Sequence, residues 1–492
     1  MNNPTEDNIK IIFGLKVKKL RAQKGYTFHQ LAEKCGISVS YLNEIENGKK
    51  YPKGEKITEL AKALDTTYDS LVSLKVSKNL APVAQFLNLD VINDFVFDTF
   101  GIDKNLLLTM VANEPVRFSA FVNAIFEIAR NYNLKQEHFF FSCLRSYQEL
   151  NENYFEELEE AVDNFILENN ISEKADQKLK SYENILIEKY LYQIEQTDFA
   201  NYPKLKQLRS VVTPLKNGFK LLYNKKLTDQ QRAFLYSREL GFNFLKLTKR
   251  PYTTSWLTVE SFDHVLNNFK ASYFATALHI PKNELIKDIE VFFASKRFHA
   301  DFFTKMMLKY NASPEMLLQR MTNLLPKFFG INELFFIRYS SKDADKNFKE
   351  ISKELHLIKN AMQLETSINE QSYRRWITKS IVKYFLENPS KATTRVESVI
   401  SKSENNTEYL TMSIFRQMPE LNNNHNSVSL GLVINDNTHK KIQFLKDPNL
   451  SIEKLGNMKD NKFETPLELK KIKELEDRLG EYEKLKADVA AK

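Results

Sequence analysis

TFHQLAEKCGISVSYLNEIEN, Thr27 to Asn47, is the stretch that decides the reading of this chain. Its apolar spacing predicts two short helices joined by a tight turn. Thr27 is an N-cap, Leu31 and Ala32 face inward, and Gly36 sits in the turn with Ile37 after it. Ser38 caps the second helix, whose inward face is Leu42 and Ile45. Glycine in such a turn permits a positive φ and a close approach of the two helices. Upstream, Leu15, Val17 and Leu20 alternate with Lys16, Lys18, Lys19 and Arg21 as a basic amphipathic helix. Downstream, Ile57, Leu60, Ala61 and Leu64 mark another helix, and Tyr68 and Leu71 close the bundle.

With the run IENGKKYP at 45–52, residues 8–75 closely resemble the phage-repressor-type (XRE) DNA-binding domain. The resemblance implies sequence-specific duplex DNA binding as a homodimer on a palindromic operator. It places base readout on Ser38, Val39, Ser40, Asn43 and Glu44. Val39 suits a thymine methyl, Asn43 an adenine, and Glu44 a cytosine N4. Phe28 stands where relatives often have Gln. The basic excess of this segment is modest, so the clustering of Lys49, Lys50 and Lys53 matters more. With Tyr51, these are the expected phosphate contacts.

At 492 residues the chain has room for three or four domains. It is 42% hydrophobic and 27% charged, with a net charge of +8 that suits a nucleic-acid partner. The two cysteines, Cys35 and Cys143, do not make a disulfide framework, and a reducing cytoplasm fits. No apolar run is long enough for a membrane span, and the polar N-terminus is not a signal peptide. Few Gly and Pro beside many Leu, Phe, Lys and Glu predict a mainly α chain with a smaller α+β part.

Residues 1–75 are thus the helix-turn-helix bundle, and 76–200 are expected to be a helical linker or oligomerisation region. Phe118–Asn133 and Tyr154–Leu167 space apolar residues three and four apart, and Phe139, Phe140 and Phe141 read as core. From about 201 the pattern changes. LRSVVTPL and GFKLLYNKKLT predict two short strands, and 229–247 predict a helix. This order resembles the metallopeptidase-like domain of the ImmA/IrrE type, assigned to 201–310. In that family a helix carries HExxH, two His one turn apart that bind zinc and a Glu that activates its water. Here the matching residues are Arg238, Glu239 and Phe242, and the third, acidic ligand aligns with Asn268. A guanidinium stays cationic and phenylalanine has no donor atom, so neither holds zinc. No two of the eight histidines lie four residues apart, and His264 and His279 are the nearest candidates. The expectation is a peptidase fold without catalysis, metal or cofactor. An active metallopeptidase is the enzyme alternative.

Residues 311–492 are expected to form a mixed α+β regulatory domain. The run at 311–340, SYRRW at 372–376, YLTMSIFR at 409–416 and SVSLGLVI at 427–434 resemble the short-chain fatty acyl transcriptional regulators. That resemblance implies an acyl-coenzyme A or similar small-molecule effector, and Arg374 and Arg375 beside Trp376 suit a phosphate and an adenine. Family cysteines beside RRW and near the C-terminus are missing, which excludes thiolate ligation there. SVSLGLVI and KIQFLKD at 441–447 alternate as two strands, with NDNT at 435–438 as a hairpin turn. Ile472, Leu475, Leu479, Tyr482 and Val489 form a helical stripe too short to argue a coiled coil. A phage-type or antitoxin-like regulator whose body binds a protein remains the interaction-module alternative.

Overall fold

The computed structural model describes residues 6–73, 136–171, 175–199, 208–254, 261–341, 350–357, 364–388, 394–418, 424–448 and 485–488, with scattered single positions besides. The chain divides into two units, residues 1–142 with 261–263, and 143–260 with 264–492. It is mainly helical with a smaller sheet part.

The first unit contains the N-terminal bundle: α1 (Glu6–Gln23), α2 (Phe28–Lys34), α3 (Val39–Glu46), α4 (Gly54–Ala63) and α5 (Tyr68–Val72). Thr27 and Gln30 form a reciprocal capping box at the start of α2. Ser38 and Thr67 cap α3 and α5 through their hydroxyls. Gly36 has φ +59° in the turn, a conformation that a side chain would strain. Phe13, Val17, Leu31, Leu42, Ile45, Ile57, Leu60, Leu64 and Leu71 fill the core of this bundle.

The second unit holds two sheets. After α6 (Gln136–Leu150), α7 (Glu156–Asn169) and α8 (Ala175–Glu188) come β1 (Tyr192–Thr197), β2 (Ser210–Pro214) and β3 (Phe219–Asn224). They form a three-stranded sheet in the order β1-β3-β2, with β1 parallel and β2 antiparallel to β3. Helices α9 (Asp229–Phe244), α10 (Phe262–His279), α11 (Lys282–Ala294), α12 (Asp301–Lys309) and α13 (Pro314–Phe329) follow. The remaining elements are β4 (Leu334–Ser341), β5 (Glu350–Leu357), α14 (Leu364–Glu387), β6 (Thr394–Lys402), β7 (Glu408–Met418), β8 (Asn424–Val433) and α15 (Asp436–Lys441). These five strands make an antiparallel sheet in the order β5-β4-β8-β7-β6.

Strand alternation gives this sheet two apolar faces. Leu334, Phe336, Leu410, Met412, Ile414 and Leu430 join Met316, Leu317 and Met321 of α13 in one core. Phe335, Ile337, Tyr339, Tyr409 and Phe415 meet Tyr373, Trp376, Ile377 and Phe385 of α14 in another.

Several sequence expectations change. Tyr192–Thr197, placed in the helical region, is a strand paired with β3, so the first sheet begins before residue 201. NDNT is not a hairpin. Asn435 accepts from the Asn437 and Thr438 amides in a capping box that starts α15, and Gln443–Lys446 is a 3-10 turn rather than a strand. The alternation there was real, but a strong Asx cap competes with a turn between strands. Phe140 is buried while Phe139 is 40% exposed. Phe118–Asn133, apart from scattered positions, and the stripe from Ile472 to Val489 lie outside the described residues.

A buried ion pair ties α7 to α13. Arg320 donates from Nη1 and Nη2 to the two Glu159 oxygens at 2.5 and 2.8 Å, and from Nε to the Ile280 carbonyl at 3.0 Å. The Tyr273 hydroxyl also donates to Glu159, at 2.6 Å. Burial pushes the Glu159 carboxyl upward, but the Arg320 bonds and charge outweigh it and hold it below the usual range. Arg320→Ala should therefore destabilise this unit by about 3–5 kcal/mol in urea unfolding, since it strands a buried carboxylate. Glu159→Leu with Arg320→Met should recover most of that loss.

Candidate nucleic-acid interface

Helix α3 exposes one stripe. Ser40 and Asn43 are exposed, Glu44 and Asn47 are half-buried, and all four recur at helical spacing opposite the buried Leu42, Ile45 and Glu46. Asn47 Nδ2 donates to Asn43 Oδ1 at 2.8 Å, which fixes the orientation of the Asn43 amide. Asn47 was missed by the sequence reading, although it lies one turn beyond Asn43. Ser38 is exposed at the helix start, where its hydroxyl accepts from the Tyr41 amide at 3.1 Å. Val39 is half-buried against the bundle core, so only part of its side chain is free for a partner.

Past α3 the chain turns back tightly. The Glu44 carbonyl accepts from the amides of Lys49 and Lys50 at 2.8 and 3.3 Å. This places Lys49, Lys50 and Lys53 as exposed cations close to the end of α3. The Tyr51 ring rests on Phe13 with centroids 4.9 Å apart, and the residue is 37% exposed. Burial, and then the neighbouring Tyr68, raise the Tyr51 phenol, so at neutral pH it remains a hydrogen-bond donor.

The support beneath the stripe was not legible in advance. Arg21 of α1 grips Glu46 with Nε and Nη2 at 2.6 and 2.9 Å and donates to the Tyr26 carbonyl at 2.9 Å. Its guanidinium lies over the Phe28 ring at 4.1 Å, and Glu46 is only 1% exposed. Phe28 thus serves as a platform for Arg21.

The residues matching a zinc motif meet on α9 in a different arrangement. Glu239 is fully buried and accepts from Arg250 Nη2 and, at 3.0 Å, from the Tyr192 hydroxyl. The Arg250 guanidinium lies over the Phe242 ring at 4.1 Å. Arg238 is 6% exposed, and Asn268 is half-buried on α10. His279 is buried with Nε2 3.2 Å from Ser237 Oγ, and burial, with Lys178 adding to it, pushes its imidazole down to about 4. His264 is half-buried on the first turn of α10. Among the described residues, no three His, Cys, Asp or Glu are grouped to hold a metal ion. No helix among them is long and apolar enough to cross a membrane.

Arg374 and Arg375 do not lie open for a phosphate. Arg374 is buried with Nε donating to the Tyr409 hydroxyl at 3.1 Å, and Arg375 is forked onto Glu354 at 3.0 and 2.6 Å. Trp376 is 8% exposed in the α14 core, with no open face for a base to stack on.

Residues 17–71 match the family described as Helix-turn-helix (HTH_3). The chain is 40% identical over 60 residues to the uncharacterized HTH-type transcriptional regulator YazB of Bacillus subtilis (strain 168), covering 12% of this chain and 87% of that protein. It is 39% identical over 61 residues to the HTH-type transcriptional repressor RghR of the same organism, covering 12% of this chain and 45% of RghR. To the HTH-type transcriptional regulator SinR of Bacillus subtilis (strain 168) it is 34% identical over 65 residues, covering 13% of this chain and 59% of SinR. It therefore spans less than two thirds of RghR and SinR. Among solved structures it is similar to a Mycobacterium tuberculosis transcriptional regulator, with TM-score 0.44 and 16% identity over 63% of this chain and 85% of that one.

Lys50→Ala should weaken binding to every duplex alike and lower the slope of log K against log salt by about one, as read by fluorescence anisotropy across a salt series. Loss of discrimination between sequences would instead place Lys50 at a base edge.

Proposed function

The chain belongs to the helix-turn-helix family of transcriptional regulators through its N-terminal bundle, and from that premise we propose that it binds a specific operator as a homodimer in the cytoplasm. The observation that carries this reading is the exposed pair Ser40 and Asn43, continued by the half-buried Asn47 at the C-cap, on a helix whose other side is locked to α1. A short helix of this kind reads only a few base pairs. A two-fold pair of them reads half-sites about one helical turn apart and multiplies the discrimination.

The body is proposed to regulate rather than to catalyse. The carboxylate that would act as a base, Glu239, is fully buried and accepts from Arg250 and Tyr192. Resemblance in the C-terminal half suggests a short-chain acyl-coenzyme A or a similar metabolite as effector. An effector shifts operator occupancy only if it binds the DNA-competent and incompetent states unequally.

Selection from random duplexes, followed by ultracentrifugation of the selected complex, tests the first part. The expected product is a palindrome holding two chains, with half-site centres about 34 Å apart. One chain on one asymmetric site would contradict it. Operator titrations with acetyl-, propionyl- and butyryl-coenzyme A test the second, and an unchanged dissociation constant with all three would remove the sensor reading.

A further inference from the structure

The turn between α11 and α12 is pinned at two places. Ser295 Oγ donates to the Arg297 carbonyl at 2.8 Å and accepts from the Arg297 amide at 3.3 Å. The Phe298 amide donates to Asp447 Oδ2 at 2.9 Å, and the Phe298 ring centroid lies 5.7 Å from that of Phe444. Beyond the 3-10 turn, the Leu450 carbonyl accepts from the Ile400 amide of β6 at 3.4 Å. Between these segments and β6 lies a cavity of about 250 Å³, lined by Phe298, Val396, Leu450 and the polar Arg297, Ser398 and Asp447. Val396 and Ile400 pack against the same core as Phe298, while Val399 belongs to the α14 core. Strand alternation therefore turns Ser398 toward the cavity. Ser398 is 2% exposed, and its Oγ has no hydrogen-bond partner among the described residues. Arg297 is exposed, and its guanidinium makes no ion pair or hydrogen bond among them.

A buried hydroxyl without a partner is costly, and a ligand that bonds it recovers the loss. The cavity also sets a cation at its mouth, a buried carboxylate within, and an apolar wall of Phe298, Val396 and Leu450. Glu397 and His299 border it as well, so neither sign of charge has the site to itself. A purely anionic ligand would meet Asp447, and a purely cationic one would meet Arg297. A volume of about 250 Å³ is that of roughly eight waters at liquid density, too small for coenzyme A and matched to a molecule of about eight heavy atoms. We propose that this cavity binds a free α-amino acid with a short aliphatic side chain. Its carboxylate pairs with Arg297 and accepts from Ser398 Oγ, its ammonium faces Asp447, and its side chain lies on the apolar wall. The site goes beyond the regulatory reading, and only its effect on the operator rests on that reading.

Calorimetry on the full chain with L-alanine, L-valine and L-leucine tests the site. Isovalerate and isobutylamine, which are valine without its ammonium and without its carboxylate, serve as controls. At least one of the amino acids should give saturable heat, and neither control should do so at the same concentration. Asp447→Asn, which can still accept from the Phe298 amide, should weaken that binding about tenfold, the scale of one charge-assisted pair. Arg297→Gln should weaken it about threefold, because an exposed guanidinium is screened. This surface substitution does not depend on the fold tolerating a change. Melting supplies an independent readout. The wild-type melting temperature should climb with the bound amino acid, while Ser398→Ala should raise it without ligand and reduce the response. No saturable heat with any of the three amino acids overturns the proposal. So does equal heat with either control, or heat that survives all three substitutions unchanged. Heat that behaves as expected beside an operator affinity that the amino acid leaves unchanged supports the site and removes the regulatory link alone.

Discussion

Helix α3 can be presented to a partner only because α1 lies almost on its backbone. A Cβ added at Gly14 would stand 2.2 Å from the Ile45 carbonyl oxygen and 3.0 Å from that of Glu46, so a side chain there would push the two helices apart. The same crossing carries the Arg21 fork onto Glu46, the last residue of α3. Backbone contact sets the distance between the helices, and the fork sets their rotation. A rigid mount matters because base readout requires side chains placed within a fraction of an ångström, and a helix free to rock would lose most of its discrimination. The flanking lysines have no such demand, since phosphate contacts tolerate small displacements.

The second unit uses buried charge in two contrasting ways. Glu159 and Arg320 satisfy one another almost completely, with Tyr273 and the Ile280 carbonyl taking the remaining bonding positions. Such a pair is weak evidence of added stability but strongly opposes loss of either partner. Around Glu239 the cations outnumber the carboxylates, and bonding capacity is left over.

How much was legible in the sequence follows from how local each signal is. Thr27, Ser38, Gly36 and the inward Leu31, Leu42 and Ile45 act within a few residues, and the structure places all of them as read. The strands at 210–224 and the helix after them were also legible from β-branched residues and breakers. Gly14 and Glu46 were not, because their roles depend on a helix crossing that no spacing encodes. Nor was Tyr192–Thr197, whose partner strand lies more than twenty residues on and whose own pattern is half polar. At 435–438 a local rule pointed the wrong way, because Asn and Asp serve turns and helix caps equally well. The paired state of Arg374 and Arg375 likewise depends on β5 and β7, not on the neighbours of Trp376.

The central claim is that the exposed stripe of α3 reads bases while the lysines beyond it only hold the backbone. The most direct measurement is the affinity of Asn43→Ala for the selected operator and for every single-base substitution of it. The account predicts that discrimination falls by about 1–3 kcal/mol at one base pair in each half-site, with preferences elsewhere intact. Uniform weakening across all sequences, or no change at any position, would contradict it.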